Sequence, residues 1–261
     1  MEHVVAAETA GRVRRLAVAV GDTVFEGHVL VAVEPADVAD TAAAAEGEIA
    51  LDHVRPDLAE AIERHTVGHD AARPESVARR RATGQRTARE NVDDLCDPGS
   101  FVEYGALVLA AQRQRRSVED LIAKTPADGL VCGIGTINGA TAPKDRASAV
   151  VLAYDYTVLA GTQGAQNHRK KDRMLEIAER ERLPVVLFSE GGGGRPGDTD
   201  ALGIAGLDVP TFQAFARLSG LVPLVGVNSG YCFAGNAALL GCCDVVIATA
   251  NSNIGMGGPA M

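Results

Sequence analysis

The sequence contains no tryptophan, and aromatic residues make up only 4% of its 261 residues. Its hydrophobic core must therefore be built from valine, leucine, isoleucine and alanine. No apolar run reaches the roughly 18–20 residues that a membrane-spanning helix needs, and the N-terminus lacks the pattern of a signal peptide. These absences predict a cytoplasmic globular protein that makes no use of a membrane.

Positive charge and paired cysteines are also scarce. Lys and Arg total 25 against 34 Asp and Glu, and the formal net charge of −9 argues against nucleic acid as a partner. The five cysteines include no CxxC pair. This predicts reduced thiols, with neither a disulfide framework nor a metal site.

The stretch from Pro184 to Arg195 combines an apolar run with four consecutive glycines. The apolar run predicts a buried strand. Because glycine has no Cβ, the loop that follows can point bare N–H groups at one spot. A second apolar strand, residues 221–227, runs into a small-residue turn and a helix that starts near Gly235. We expect the two turns to aim amides at one oxygen anion, an enolate or a tetrahedral oxyanion.

The rest of the pattern predicts strands alternating with helices. Residues 129–137 and 147–154 predict paired strands with Asn138-Gly139 at the turn. Residues 54–89 predict a highly charged helix. Further helices are expected over 165–182, 211–219 and 235–241, and a strand over 244–249. Repeated ββα and βα units of this kind predict an α/β fold.

The N-terminal residues 1–38 predict short strands broken by turn glycines. They read G-x-V, then V-x-V-G-D-x-V-x-x-G, then L-V-x-V-E, and resemble the second half of a biotinyl/lipoyl carrier domain. In that family biotin is attached to a lysine in the preceding hairpin, whereas this sequence has no lysine before Lys124. The resemblance implies that biotin is carried on a lysine outside this chain. The alternative for residues 1–38 is a small β unit unrelated to carrier domains. Residues 39–74 predict a linker and a helix.

Residues 84–103, GQRTARENVDDLCDPGSFVE, resemble the opening of the carboxyltransferase domain of biotin-dependent acyl-CoA carboxylases. The resemblance covers residues 75–261 and implies a crotonase-like spiral core of ββα units. The implied activity moves a carboxyl group from N-carboxybiotin to the α-carbon of an acyl-CoA of acetyl or propionyl type. The reaction would pass through an enolate held in an oxyanion hole.

The same resemblance implies roles for particular residues. By the match of the first glycine loop to the family pattern, Gly193 and Gly194 supply oxyanion-hole amides, and Gly235 supplies another from a helix N-terminus. Gly191 and Gly194 stand where the family has serine and alanine. Substrate contacts are implied for Ala234 and for a cationic cluster that would hold CoA phosphates, namely Arg169, Lys170 and Lys171. A solvated helix face is the alternative for that cluster.

Other residues near the predicted site are expected to have structural or minor roles. The acids that crotonase-type hydratases use correspond to Ala238 and Ala260, which disfavours hydratase chemistry. We expect Arg195 to order its loop, His168 to lie at the surface and Cys232 to pack. Three loop carboxylates are minor catalytic candidates: Asp155, Glu190 and Asp198.

The implied partners are an acyl-CoA, carboxybiotin on a carrier domain, a biotin carboxylase, and a second carboxyltransferase half in a homo-oligomer. We expect both ends of the sequence to be cut from a longer enzyme, so that the isolated chain would be inactive. Two alternatives remain open. One is the carboxyltransferase of a biotin-dependent acyl-CoA decarboxylase, and the other is a non-catalytic CoA-binding or assembly fragment.

Overall fold

A computed structural model describes residues 5–7, 9–36, 52–143, 146–200 and 209–257. The chain divides into two compact units between Arg55 and Pro56. The described part of the first unit contains an antiparallel pair, β1 (Gly11–Leu16) and β2 (Val31–Pro35). The predicted linker and helix, residues 39–74, is described only from residue 52 onward.

The second unit alternates helices and strands. Its helices are α1 (Pro56–Thr66), α2 (Pro74–Ala82), α3 (Ala88–Leu95), α4 (Val118–Lys124), α5 (Ala165–Glu181), α6 (Pro210–Arg217) and α7 (Gly235–Gly241). Its strands are β3 (Val102–Glu103), β4 (Leu130–Thr136), β5 (Ser148–Tyr154), β6 (Val185–Phe188), β7 (Leu224–Asn228), β8 (Tyr231–Phe233), β9 (Val245–Ala248) and β10 (Asn253–Gly255). No helix within the described ranges is long and apolar enough to cross a membrane.

The central sheet has the strand order β3-β4-β5-β6-β7-β9. The first three strands are antiparallel, and β5, β6, β7 and β9 run parallel to one another. A smaller sheet pairs β8 with β10. Because β6 and β7 are parallel neighbours, the loops that follow them leave from the same edge of the sheet, where α/β folds usually place ligands.

Alternate residues of β4 and β5 enter different cores on the two faces of the sheet. Leu130, Leu152 and their same-face neighbours pack with α5 and α6. Val131 and Val151 pack against α3 on the opposite face. This is the period-two alternation of a strand covered on both sides. The predicted antiparallel pairing of these strands is confirmed.

One local prediction is wrong in detail. The single helix predicted over 54–89 is broken into α1, α2 and the first residues of α3. Pro74 starts α2 because a proline lacks the N–H that a continuing helix would need there, and Gly84 lies between α2 and α3 with φ +73°. The turn predicted at Asn138-Gly139 is present after β4, where Asn138 O accepts from Thr141 N–H at 2.9 Å.

Candidate active site

The glycine loop after β6 is bonded to the segment that leads into α7. Gly191 N–H donates to Tyr231 O at 2.8 Å, and Phe233 N–H donates to Gly191 O at 2.9 Å. The two bonds form a parallel bridge between the loop and β8. The bend after β6 and the bend after β7 are thus joined through their backbones.

Gly193 lies directly against the start of α7. Its φ is +85°, and a Cβ built on it would lie 2.7 Å from Ala234 Cβ and 3.6 Å from Gly235 N. Only glycine combines that backbone conformation with so close an approach. The two bends predicted from the sequence therefore lie in contact.

The start of α7 is strained. Ala234 is the N-cap residue, with φ 48° and ψ −117°. A non-glycine residue in such a conformation costs roughly 1–3 kcal/mol, and residues of this kind cluster at functional sites. The sharp bend makes Gly235 the first residue of the helix, so its amide has no intrahelical acceptor.

The amides of the three predicted donors differ in whether they are already paired. Gly193 N–H donates to Asn236 Oδ1 at 3.1 Å. The expectation that Gly193 donates to an oxyanion is therefore corrected, because its amide is satisfied inside the protein. Across the part of the chain that the structure describes, the amides of Gly194 and Gly235 have no acceptor.

Gly194 is held from both sides. Gln163 N–H donates to Gly193 O at 2.7 Å, and Arg195 N–H donates to Gln163 O at 2.9 Å. The peptide between these bonds keeps its N–H unpaired. A Cβ built on Gly194 would meet nothing within 4 Å, so the space beside this residue is open for a ligand.

Two members of the predicted cationic cluster, Lys170 and Lys171, are buried in the interior. Lys171 is fully buried, and its Nζ donates to Tyr154 Oη at 2.6 Å and Gln163 Oε1 at 3.2 Å. Lys170 is also buried and donates to Ala127 O at 3.0 Å, in the turn before β4, and to Leu130 O at 2.6 Å, at the first residue of β4. Neither ammonium is available for CoA phosphates. The alternative of a solvated helix face is wrong for both.

The other two predicted substrate contacts, Arg169 and Ala234, are not in the interior. Arg169 is exposed on α5, and its Nη1 reaches Gln166 Oε1 at 3.4 Å. Ala234 is partly buried between the two bends, next to Gly193. Of the four residues, Ala234 is the one that the described structure places beside the unpaired amides.

The burial of Lys171 predicts a pH-dependent stability. Burial lowers the pKa of Lys171 to about 7, although Asp172, Cys132 and Asp128 oppose the shift. From about pH 7 to the ordinary lysine pKa of 10.5, the unfolded chain binds a proton that the folded chain releases. The contribution of Lys171 to the free energy of unfolding should thus rise with pH, by up to about 1.4 kcal/mol per unit.

Urea denaturation of the wild type and of Lys171→Met at pH 7.5 and pH 9.0 measures this contribution. The methionine is similar in length and cannot titrate, so the difference between the two proteins isolates the lysine. We expect the wild type to gain stability relative to the variant as the pH rises. Identical pH profiles would show that Lys171 keeps its charge in the folded protein.

Arg195 orders the glycine loop, as the sequence predicts. Its Nη2 donates to Thr162 O at 2.8 Å and its Nε to Thr162 Oγ1 at 3.1 Å. Its Nη1 forms an ion pair with Asp128, which is fully buried, and a longer one with Asp198 at 3.4 Å. Burial raises the pKa of Asp128, and the Arg195 guanidinium acts in the opposite direction. This arginine has a structural role.

The three candidate carboxylates all have cationic partners. Asp155 Oδ2 accepts from Arg73 Nη1 at 2.9 Å. Glu190 forms a bidentate pair with Arg80, and burial raises its pKa in spite of that partner. Asp198 pairs with Arg195. These contacts give each carboxylate a role in holding the loops that surround the two bends.

His168 and Cys232 are both buried. His168 was expected at the surface and this is wrong: its Nδ1 lies 2.8 Å from Thr211 Oγ1, and burial lowers its pKa to about 3. The thiol of Cys232 lies 3.5 Å from Ser189 Oγ, and burial raises its pKa. The packing role predicted for Cys232 is confirmed.

Sequence reasoning missed three residues that support the bends: Gln163, Asn236 and Asp128. Each is buried, and the side chain of each is bonded to a residue at least 43 positions away. The one available signal was composition, because Asn236 is a polar residue in the otherwise small and apolar run from 232 to 241. Partner identity across such separations is set by the fold.

The mixed sheet, with β6 and β7 as parallel neighbours that each lead into a glycine-containing bend, has the architecture of a crotonase-like fold. The carboxyl transferase domain family matches residues 79–261, and the chain belongs to this family. The predicted fold, with a crotonase-like core and a small N-terminal β unit, is confirmed by its structural neighbours.

Several of the relatives are subunits of acyl-CoA carboxylases or carboxyltransferases. The chain is 30% identical over 179 residues to the propionyl-CoA carboxylase beta chain of Saccharopolyspora erythraea, covering 68% of this chain and 30% of that protein. It is 32% identical over 185 residues to the methylmalonyl-CoA carboxyltransferase 12S subunit of Propionibacterium freudenreichii subsp. shermanii, covering 70% and 33%. It thus spans about a third of the length of these relatives.

A solved structure of a single-chain, multi-domain long-chain acyl-CoA carboxylase is more similar. It has a TM-score of 0.76 and 58% sequence identity to this chain. The match covers 100% of this chain and 24% of that protein. It therefore extends across the first unit as well as the second.

Proposed function

We propose that the chain forms the acyl-CoA side of a biotin-dependent carboxyltransferase. The amides of Gly194 and Gly235 would bind the thioester oxygen while a carboxyl group is added to the α-carbon. The observation that carries this proposal is the pair of unpaired amides on two bends in contact. Gly193 would shape the loop through its positive φ.

The chemistry needs donors at that oxygen. Removal of an α-proton from a thioester leaves an enolate whose oxygen bears the negative charge. A preorganised N–H group that donates to this oxygen lowers the activation free energy by roughly 3–4 kcal/mol. Gly235 adds the favourable end of the α7 dipole, which stabilises anions at a helix N-terminus.

Around the two bends, the described carboxylates Asp155, Glu190 and Asp198 are each paired with an arginine, so none of them is free to remove the proton. Ala238 lies in α7, where a hydratase would have an acid, and cannot exchange a proton. Ala260, the second such position, lies outside the described residues. Biotin, carried on a lysine outside this chain, would supply both the carboxyl group and the base when bound. The chain's own residues would hold and orient the thioester.

The length of the acyl group is part of this proposal. The family resemblance implies an acyl-CoA of acetyl or propionyl type, but the sequence motifs do not specify the length of the acyl group. The 58% identity to a long-chain acyl-CoA carboxylase, over the whole chain, favours a long-chain acyl-CoA instead. Carrier and biotin carboxylase partners, and assembly with a second carboxyltransferase half, are proposed on the same similarity.

Incorporation of labelled bicarbonate into acyl-CoA tests the proposal. The chain would be supplied with biotinylated carrier, biotin carboxylase and the second carboxyltransferase half, and offered propionyl-CoA or palmitoyl-CoA. We expect acid-stable label with both substrates and a higher kcat/KM with palmitoyl-CoA. Omission of this chain is the matched control. Label that forms equally well without the chain would refute the function.

A further inference from the structure

Asn236, the residue after Gly235, joins the two bends through its side chain. It is fully buried, and its Oδ1 accepts from Gly193 N–H at 3.1 Å. Its Nδ2 donates to Ser189 O at 3.2 Å and to Gly161 O at 3.4 Å. One side chain at the start of α7 thus binds both the beginning and the middle of the loop that follows β6.

The amide of Asn236 uses all four of its hydrogen-bonding positions. Besides Gly193, its Oδ1 accepts from Gln163 Nε2 at 3.1 Å. An amide has two donors and an acceptor oxygen with two lone pairs, and a carboxylate or an alkyl group cannot reproduce that set. Gly191 leaves room for it, because a Cβ there would collide with Asn236 Nδ2.

Gln163 holds the Asn236 side chain in place, because its Nε2 donates to Asn236 Oδ1. Its side-chain oxygen accepts from Lys171 Nζ at 3.2 Å, which fixes the direction in which its own amide donates. Its backbone holds the two residues on either side of Gly194. A Cβ on Gly235 would lie 3.2 Å from its side chain. Gln163 therefore contacts both bends, and a buried lysine holds it in place.

We propose that Asn236 is a positioning residue that sets the spacing between the Gly194 and Gly235 amides. The inference rests on the proposed function, since it concerns the donors assigned there. Catalytic groups must be held within about 0.5 Å of their productive geometry, and a misplacement of about 1 Å can cost 100-fold in rate. Asn236 is fully buried and its amide is already saturated, so it would act through the bends that it joins.

Asn228 provides a matched control. It is also fully buried, at the end of β7, and its side chain makes two hydrogen bonds where Asn236 makes four: Nδ2 donates to Gly230 O at 3.0 Å, and Oδ1 accepts from Ser189 Oγ at 3.1 Å. It has no bond to Gly193. Asn228→Ala and Asn236→Ala both remove a buried amide near the same edge of the sheet, so both should lower the melting temperature, and Asn236→Ala should lower it more because it removes more hydrogen bonds.

The kinetic parameters of the two variants separate positioning from stability. In the carboxylation assay, we expect Asn236→Ala to lower kcat about 100-fold, with KM for the acyl-CoA within about threefold of the wild type. Asn228→Ala should keep kcat within about threefold. Equal losses of kcat in both variants, or a wild-type kcat in Asn236→Ala, would overturn the proposal.

A crystal structure of Asn236→Ala gives a readout that does not depend on activity. We expect the Gly193–Gly194 segment to move away from Gly235 in the variant. Bends that stay in place would overturn the positioning role and leave the proposed function standing. Retained carboxylation in a Gly194→Val variant would instead overturn the proposed function, so the two failures can be told apart.

Discussion

Replacement of Gly194 by valine is expected to lower kcat for carboxyl transfer by at least about 100-fold. Loss of one oxyanion donor costs about 100- to 1,000-fold in enzymes that stabilise an anion in this way. The isopropyl group would occupy the open space beside the unpaired amide, where the thioester oxygen is proposed to bind. The effect should appear in kcat measured at saturating acyl-CoA.

The fold should tolerate this substitution. A Cβ on Gly194 meets nothing within 4 Å, and its φ lies outside the left-handed range. The same is true of Gly241 at the exposed end of α7, so Gly241→Val is the matched control. Both variants should melt within a few degrees of the wild type, and Gly241→Val should retain activity. A Gly194→Val protein with near-normal transfer would show that this amide does not bind the oxyanion.

Replacement of Arg195 by methionine is expected to lower the free energy of unfolding by about 3–5 kcal/mol. Arg195 and Asp128 are a buried ion pair, with side chains 5% and 0% exposed. Removal of one member leaves the other charge buried without its partner, which is the costly way to break such a pair. Urea denaturation at pH 7.5 measures the loss.

The double variant Asp128→Asn, Arg195→Met tests whether the cost comes from the stranded carboxylate. Asparagine is nearly the same shape and tolerates the left-handed backbone of residue 128, where φ is 48°. We expect the double variant to be more stable than Arg195→Met alone. If the double variant is the less stable of the two, the lost packing and loop contacts of Arg195 dominate, and the ion-pair explanation is wrong.

The location of the site could be predicted from the sequence because the signals were local. A strand followed by glycines, and a second strand followed by a small-residue turn and a helix start, lie in short continuous segments. Parallel pairing of β6 and β7 then brings the two turns to the same edge. Which of the three candidate amides remains unpaired could not be predicted in this way, because the acceptor for Gly193 N–H is a side chain 43 positions away.

The inward orientation of Lys170, Lys171 and His168 could not be predicted for a related reason. Charged residues on a helix usually face water, and the run from 168 to 173 has the composition of a solvated surface. In the fold, α5 is packed against the sheet, α6 and the turn before β4. The lysines there replace their hydration with carbonyl, hydroxyl and amide oxygens from other segments.

The sequence by itself determined the α/β class, the succession of strands and helices from β4 onward along the chain and the two bends, since these depend on apolar periodicity and on where glycine permits a turn. The tertiary structure alone decided which amides stay unpaired and which cations are buried. Each of those outcomes depends on a hydrogen-bond partner from a distant part of the chain, and such partners exist only once the sheet has assembled.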